Sequence, residues 1–295
     1  MNNKNVFLLG ILLLASMANH AQAPSMAAPE SAGSSKFYIK AYGGYGFIQP
    51  GSYKLYSVSI VPTGDITGNV AESKQGLGSG IRFGGGVGVI ASDFLNIGVD
   101  VEYLSGTTLT SNSSYNSTSG YNTFINTSIS YTSLSIIPHV IFKALSKPDY
   151  LIYNKLGLLL NLPMEMNRSE HDTSYTVASP DQDYNAHING TYKFNLTVGL
   201  NVALGVQYRL TDNLRAYGEI FGNFIVLVPD TYDVTNVASV GKNPPGTDIS
   251  HITYIRSGQT FYTTVGNTHT STTSVEGSSF NMNAIGINIG VAFRF

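Results

Sequence analysis

Counting back from Phe295, Ile285, Ile287, Ile289, Val291, Phe293 and Phe295 share one face, and Gly286, Asn288, Gly290, Ala292 and Arg294 share the other. Successive side chains of a strand point to opposite faces, so this alternation predicts a strand with one apolar and one small or polar face. The same period recurs along the chain. Segment 37–47 sets Phe37, Ile39, Ala41, Tyr45 and Phe47 against Tyr38, Lys40, Tyr42 and Gly44. Segment 81–90 sets Ile81, Phe83, Val87 and Val89 against Arg82, Gly84, Gly86 and Gly88, and 95–104 sets Leu95, Ile97, Val99, Val101 and Tyr103 against Asn96, Gly98, Asp100 and Glu102. Segment 131–145 opposes Leu134, Ile136, Val140 and Phe142 to Ser133, Ser135, His139 and Lys143.

In 150–162 the pattern is less regular. Ile152, Leu156, Leu158 and Leu160 oppose Lys155, Gly157 and Asn161, but Leu151 and Leu159 fall on the polar face and Asn154 on the apolar one. Segments 194–210 and 214–228 are clear again: Val198, Leu200, Val202, Leu204 and Val206 oppose Asn201, Gly205 and Arg209, and Ile220 and Phe224 oppose Arg215, Tyr217 and Glu219. With the C-terminal segment this makes eight predicted strands.

Their connections alternate in length. Three, at 92–94, 146–149 and 211–213, are tight and carry turn-forming residues. Four, at 48–79, 105–130, 163–192 and 229–279, are long and rich in Ser, Thr, Asn, Gly and Tyr. Loops beyond about 12–15 residues are uncommon in a compact soluble domain. Short turns at one end and long loops at the other are the asymmetry of a transmembrane barrel. One such segment alone fits an edge strand of a soluble sandwich. Eight in this rhythm predict an all-β fold, an eight-stranded antiparallel transmembrane up-and-down β-barrel over 37–295 with short periplasmic turns and four long extracellular loops. Unpaired backbone is costly in hydrocarbon, so the last strand is expected to pair with the first and the chain to end where closure is complete.

Two local features carry further expectations. A closed barrel has no edge to tolerate a missing N–H, so Pro138 predicts a β-bulge beside Ile136 and Ile137. In the last loop "HITYI" and "TFYTT" flank Arg256 to Gln259 and read as a hairpin too short to span, which makes it an extracellular extension; a ten-stranded barrel is the alternative.

Composition narrows the compartment. Residues 1–23 carry Lys4, an apolar run from Val6 to Ala15 and small residues at Ala21 and Ala23, the pattern of a secretory signal peptide. Residues 24–36, "PSMAAPESAGSSK", read as a flexible periplasmic leader. Removing Lys4 from 16 bases against 18 acids leaves a formal charge of −3, which argues against nucleic acid as a partner. The absence of cysteine excludes disulfides, thiolate zinc sites and an N-terminal lipid anchor on cysteine. Charged residues are only 12% of the chain, too few for an ordinary soluble exported domain, while Tyr and Phe number 19 and 14.

The ending "NIGVAFRF" resembles the C-terminal insertion signal of bacterial outer-membrane barrels, in Asn288, Gly290, Phe293 and Phe295. With the strand count and loop rhythm, the chain resembles the small OmpA-, OmpX- and opacity-type barrels over almost all of its mature length. The resemblance implies an integral protein of the outer membrane, inserted by the outer-membrane assembly machinery, with both termini periplasmic and with outer-membrane lipids and lipopolysaccharide as its surroundings.

If the polar faces point inward, the lumen holds Lys40, Arg82, His139, Lys143, Lys155, Arg209, Arg215 and Arg294 with Asp100, Glu102 and Glu219. An eight-stranded barrel is just wide enough for side chains to fill it. These groups therefore form either a paired polar core that plugs the barrel or, since bases outnumber acids, a narrow anion-leaning pore.

Signals for chemistry are weak. Gly86 to Ala91 matches a dinucleotide fingerprint only formally, because a turn and another strand follow where a helix is required. His171, Asp172, Asp181, Asp183 and His187 share one loop without the spacing of a defined metal site. No cofactor is expected, and no nucleophile motif marks an enzyme. "TSNSSYNSTSGYNTFINTS" is uncharged and dotted with Tyr, a composition suited to adaptable recognition, so a host or surface ligand held by the loops is a further expectation. Three functions follow: surface interaction, adhesion or envelope integrity first, then a narrow small-solute porin, then a lipid-modifying enzyme.

Overall fold

A computed structural model describes residues 36–48, 66–70, 76–117, 121–176, 184–240, 249–255, 261–265, 268–272 and 280–295. The signal-peptide segment and leader residues 24–35 lie outside the described residues. In chain order the strands are β1 (Phe37–Ile48), β2 (Ile66–Val70), β3 (Gly80–Ile90), β4 (Leu95–Gly106), β5 (Leu109–Ser117) and β6 (Tyr121–Ser146). Then come β7 (Tyr150–Thr176), β8 (Tyr184–Phe194), β9 (Thr197–Arg209), β10 (Leu214–Phe224), β11 (Val226–Leu227) and β12 (Pro229–Val240). The last are β13 (Ile249–Ile255), β14 (Phe261–Val265), β15 (Thr268–Thr272), β16 (Phe280–Asn281) and β17 (Ala284–Arg294).

Eight of these close on themselves. In the order β1, β3, β4, β6, β7, β9, β10, β17 each pairs antiparallel with the next, and β17 returns to β1 from Tyr38↔Arg294 to Ile48↔Ala284. The first and last barrel strands are thus fully paired, as hydrocarbon requires of every backbone group. The tight turns at 91–94, 147–149 and 210–213 lie at the same end as Phe37 and Arg294.

The faces are sorted the opposite way to those of a soluble protein. Ile81, Val198 and Ile289 are 60%, 57% and 69% exposed on the outside, whereas Lys40, Arg82, Asp100, Glu102, Lys155 and Glu219 are buried inside. Phe37, Phe94, Phe142, Tyr208, Phe293 and Phe295 are exposed toward the short-turn end, and Tyr45, Phe47 and Phe83 toward the other. An apolar outer band with aromatics at both rims is the surface of a membrane-spanning barrel. The chain folds as a membrane-spanning β-barrel.

Most of the expected spans agree with the strands, and the long connections differ. β6 and β7 do not end at the membrane rim; they run on as one hairpin of 26- and 27-residue strands, paired up to Tyr121↔Thr176. β5 joins one side of this hairpin, and β8 and then β12 the other. At about 3.3 Å per residue β7 measures roughly 90 Å along its axis, far more than an apolar band about 25 Å tall requires. Outside the membrane neither face of the sheet is sorted against lipid, so the period-two contrast fades and the segment reads as loop. β13 and β14 pair through Ile249↔Val265 to Thr253↔Tyr262, the hairpin read from "HITYI" and "TFYTT".

The bulge expected at Pro138 is not there. Pro138 pairs with Val99 in an unbroken β4–β6 register, and the β6–β7 ladder skips Ile137 and Pro138 and resumes at His139↔Gly157 unshifted. The missing N–H is absorbed by local loss of pairing on the β7 side. The register shifts fall instead between Thr132 and Ser133 and between Lys143 and Leu145. Two strands are also shorter than expected: β9 starts at Thr197, and β10 stops at Phe224, where the Ile225 N–H leaves the ladder to donate to Asn283 Oδ1 at 2.8 Å.

Above the polar lumen the barrel mouth is apolar. Leu77, Leu104, Ile129, Tyr131, Ile137, Leu159, Met166, Ile225, Leu227, Phe280 and Met282 form one buried cluster, with Tyr192 and Phe194 packed against it. The short β11–β16 pair carries Leu227 and Phe280 into that cluster.

Candidate functional site: the lumen and the sheet beyond it

The lumen is built from the inward faces of all eight barrel strands. Lys40 Nζ on β1 lies 2.8 Å from Asp100 Oδ2 on β4, and Lys155 Nζ on β7 lies 3.6 Å from the same oxygen and 3.0 Å from Glu219 Oε2 on β10. His139 Nδ1 is 3.7 Å from Asp100 Oδ2 and 3.0 Å from the Ile137 carbonyl. Nearer the mouth, Arg82 Nη1 donates to Glu102 Oε1 at 2.5 Å and Arg82 Nη2 to the Gly78 carbonyl at 2.9 Å. Phenols complete the carboxylates: Tyr42 donates to Glu102 at 3.2 Å and Tyr153 to Glu219 at 2.8 Å. Buried charges persist when paired and hydrogen-bonded in this way.

Of the candidate lumen residues, Lys40, Arg82, Asp100, Glu102, His139, Lys155, Arg215, Glu219 and Arg294 are buried inside. Arg294 donates to Gln207 at 3.3 Å. Lys143 sits half-buried at the short-turn rim and donates to the Ser92 carbonyl at 3.4 Å. Arg209 ends β9 in the inward phase, opposite Arg215, but is exposed at the short-turn rim, where it pairs with Asp212 in the following turn. The inward positions also include Leu151, Tyr153, Leu159, Ile137 and Ile141, all buried. Leu151 and Leu159 therefore belong on the inward face despite being apolar.

Glycines make room for the phenols. A Cβ on Gly84 would lie 2.7 Å from the Tyr42 ring, and one on Gly290 would lie 2.8 Å from Tyr217 Cζ. Asn288 is buried against Gly44, while Phe293 and Phe295 face outward with ring centroids 5.9 Å apart. Two of the four residues of the terminal motif thus pack the lumen and two face lipid.

In the sheet beyond the long-loop end of the barrel, Arg168 pairs with Glu170 on the inward face of β7, and Thr127 donates to Glu170 at 3.3 Å from β6. His171 and His187 stack across β7 and β8 with centroids 4.1 Å apart. Asp172 is held up at about 6, chiefly by burial and then by the charge of Glu170. Asp181 and Asp183 lie outside the described residues. Among the described residues no three His, Asp or Glu side chains converge as metal ligands. A groove of about 360 Å³ in this sheet is lined by Thr108, Ser128, Ser130, Asn167, Arg168, Ser169, Asn189, Gly190 and Thr191.

No protein-family model matches the sequence, and no curated protein matches it. Several solved structures are similar. Outer membrane protein OprG from Pseudomonas aeruginosa is 11% identical, with a TM-score of 0.39 over 89% of this chain and 96% of that one. A major outer membrane protein from Thermus thermophilus is 12% identical, with a TM-score of 0.34 over 88% and 99%. The outer membrane protease OmpT from Escherichia coli is 10% identical, with a TM-score of 0.34 over 88% and 94%. Likenesses this distant say nothing of activity.

Proposed function

We propose that this barrel displays a recognition surface outside the cell, serving surface interaction or adhesion and the integrity of the envelope, as the small OmpA-, OmpX- and opacity-type barrels it resembles would suggest. The observation that carries this is the division of labour along β6 and β7. Their lower halves close a lumen filled by the Lys155–Glu219 and Arg82–Glu102 pairs beneath an apolar cluster, and their upper halves, with β5, β8 and β12, build a broad sheet. Display needs such a sheet, whereas conduction needs a wet path. On this reading the apolar belt contacts outer-membrane lipid and lipopolysaccharide, the assembly machinery reads Phe293 and Phe295, and the loops meet a host or surface ligand. No catalytic role is proposed.

The test compares cells displaying the full chain with cells displaying a barrel whose β6–β7 hairpin is shortened above Tyr131 and Met166. Loss of attachment to surfaces or of detergent resistance, with outer-membrane levels unchanged, is expected. Unchanged behaviour in both assays together with steady single-channel conductance of the full chain would replace this reading with the narrow porin. Loss of a lipid modification on substituting a loop His or Ser would replace it with the enzyme.

A further inference from the structure

Past the apolar band, the outward positions of β6 and β7 change character together. Ile136 and Leu162 are exposed on the barrel wall, and Met164 is the extra residue at the register shift beyond them, so that past it the odd positions of β7 face outward. In that outward phase Ser130 pairs with Asn167 and Asn167 with Thr191; one row further, Ser128 pairs with Ser169 and Ser169 with Asn189. These six residues line the groove of about 360 Å³. The alternate residues Ile129, Met166 and Glu170 are buried on the inward side.

The lining selects by chemistry. All six side chains are hydroxyls or amides, which both donate and accept. Thr191 donates to Asn167 Oδ1 at 3.0 Å, and Asn167 Nδ2 donates to Glu165 Oε1 at 2.8 Å. These bonds fix the orientation of the amide and leave each of its ends a second hydrogen-bonding position. Arg168, the charged residue of the lining, is paired with Glu170. Among the described residues no aliphatic or aromatic side chain lines the groove. A ligand dense in hydroxyls matches such a surface, whereas an acyl chain, a bare anion or an apolar peptide side chain does not. The volume falls at the lower end of the range of small-molecule sites, about 300–1,000 Å³.

Height above the membrane points to the source of that ligand. Ser130 and Ser128 follow on β6 beyond Leu134, the half-buried partner of Leu162 at the top of the apolar wall. At about 3.4 Å per residue and a strand tilt of about 40°, they stand roughly 10 and 16 Å above that row. The headgroup layer of a phospholipid adds only about 5–8 Å on each side of the hydrocarbon. A phosphate headgroup therefore falls short of the groove, and a headgroup of two or more sugars spans the gap. We propose that the groove binds the uncharged sugars of a glycolipid headgroup in the leaflet on the long-loop side, with the acyl chains lying on the apolar wall around Leu162 and Met164. The site rests on the reading that the outer band meets membrane glycolipid, and it does not require attachment to a surface.

The test uses the full mature chain in nanodiscs of phosphatidylcholine carrying equal small amounts of digalactosyldiacylglycerol and phosphatidylglycerol. Native mass spectrometry of the released barrel is expected to show the digalactosyl lipid retained several-fold above both phospholipids. Asn167→Ala/Asn189→Ala should bring its retention down to the phospholipid level while the barrel keeps heat-modifiable migration. Equal retention of all three lipids, or a preference for phosphatidylglycerol, overturns the proposal, and the unsubstituted chain alone decides this if the double variant fails to fold. So does retention that the double variant leaves unchanged, or free digalactose binding as tightly as the lipid, which would assign the groove to a soluble glycan. Lipid retention is read in nanodiscs and attachment on cells, so either fails without the other.

Discussion

Tyr153 crosses Gly205 to reach Glu219. The three residues share one row across β7, β9 and β10, and a Cβ on Gly205 would collide with the Tyr153 ring, so the glycine is what lets the phenol donate to Glu219 Oε1 at 2.8 Å. Lys155 reaches the other oxygen of the same carboxylate at 3.0 Å from the next inward position of β7. Glu219 thus ties β7 to β10 over an intervening strand.

Removing Glu219 should therefore cost more than one contact. Glu219→Ala leaves Lys155 buried with only the longer approach to Asp100, and breaking a buried pair on one side costs about 3–5 kcal/mol. Lys155→Met/Glu219→Leu, which removes both charges, is expected to be much milder than the sum of the single substitutions. Urea unfolding in detergent reads both, and strict additivity would show that the pair is not coupled.

Gly205→Ala is expected to destabilise the barrel by about 1–3 kcal/mol by forcing the Tyr153 ring off its row. Gly43, where a Cβ would make only an ordinary contact with the Arg82 carbonyl at 3.8 Å, is the control and should accept Ala at far lower cost. The same unfolding assay checks both; equal effects would deny that ring-over-glycine packing distinguishes the two positions.

The outer band makes a depth-dependent prediction. Ile289 lies at the middle of β17 and is 69% exposed, whereas Phe295 lies at the rim. Ile289→Arg should cost about 2–4 kcal/mol in a bilayer, and Phe295→Arg about 0–1 kcal/mol in stability. Assembly is a separate readout. If Phe293 and Phe295 are part of an insertion signal, Phe295→Arg lowers the amount reaching the outer membrane while leaving the refolded barrel stable.

The fold was legible because lipid enforces sorting. Wherever a strand crosses the band, a polar residue facing out is costly, and the alternation of Phe194 to Arg209 or Ile285 to Phe295 survives in the sequence. Inside the lumen the rule relaxes. Leu151 and Leu159 fill space beside Lys155 and Asn161, which is why 150–162 read as irregular. Outside the membrane both faces of β6 and β7 meet mainly polar surroundings, so Ser, Thr and Asn occupy either side and a strand looks like a loop. The buried groups were visible as charges on an inward face, but their pairing was not. It depends on register across two or three strands, as Tyr153, Gly205 and Glu219 show.

The sheet beyond the barrel should respond to acid in the opposite sense to most acidic surfaces. Burial, then Glu170, raise the Asp172 carboxyl from 3.8 to about 6, against Arg168 and His171, which pull it down. The folded sheet binds a proton that the unfolded segment releases between those values. Stability is therefore lost as pH rises from about 4 to 6 and levels off above that. Hydrogen-exchange protection of the paired amides near Ile125 and Asp172 should be higher at pH 4.5 than at pH 7.5 after correction for intrinsic rates. Asp172→Asn should flatten the difference; a difference that survives the substitution would assign it to another group.

Closure of β17 on β1 in the outer membrane is the claim on which the rest depends, and the cysteine-free chain allows it to be measured directly. Ala41 and Val291 are paired across that seam, and both are exposed on its outer face. With Ala41→Cys and Val291→Cys introduced together, oxidation of intact outer membranes is expected to give an intramolecular cross-link, whereas Ala41→Cys with Val206→Cys, two strands away from β17 on β9, should give none. No cross-link across the seam, or a protein recovered in the soluble periplasmic fraction, would contradict the barrel.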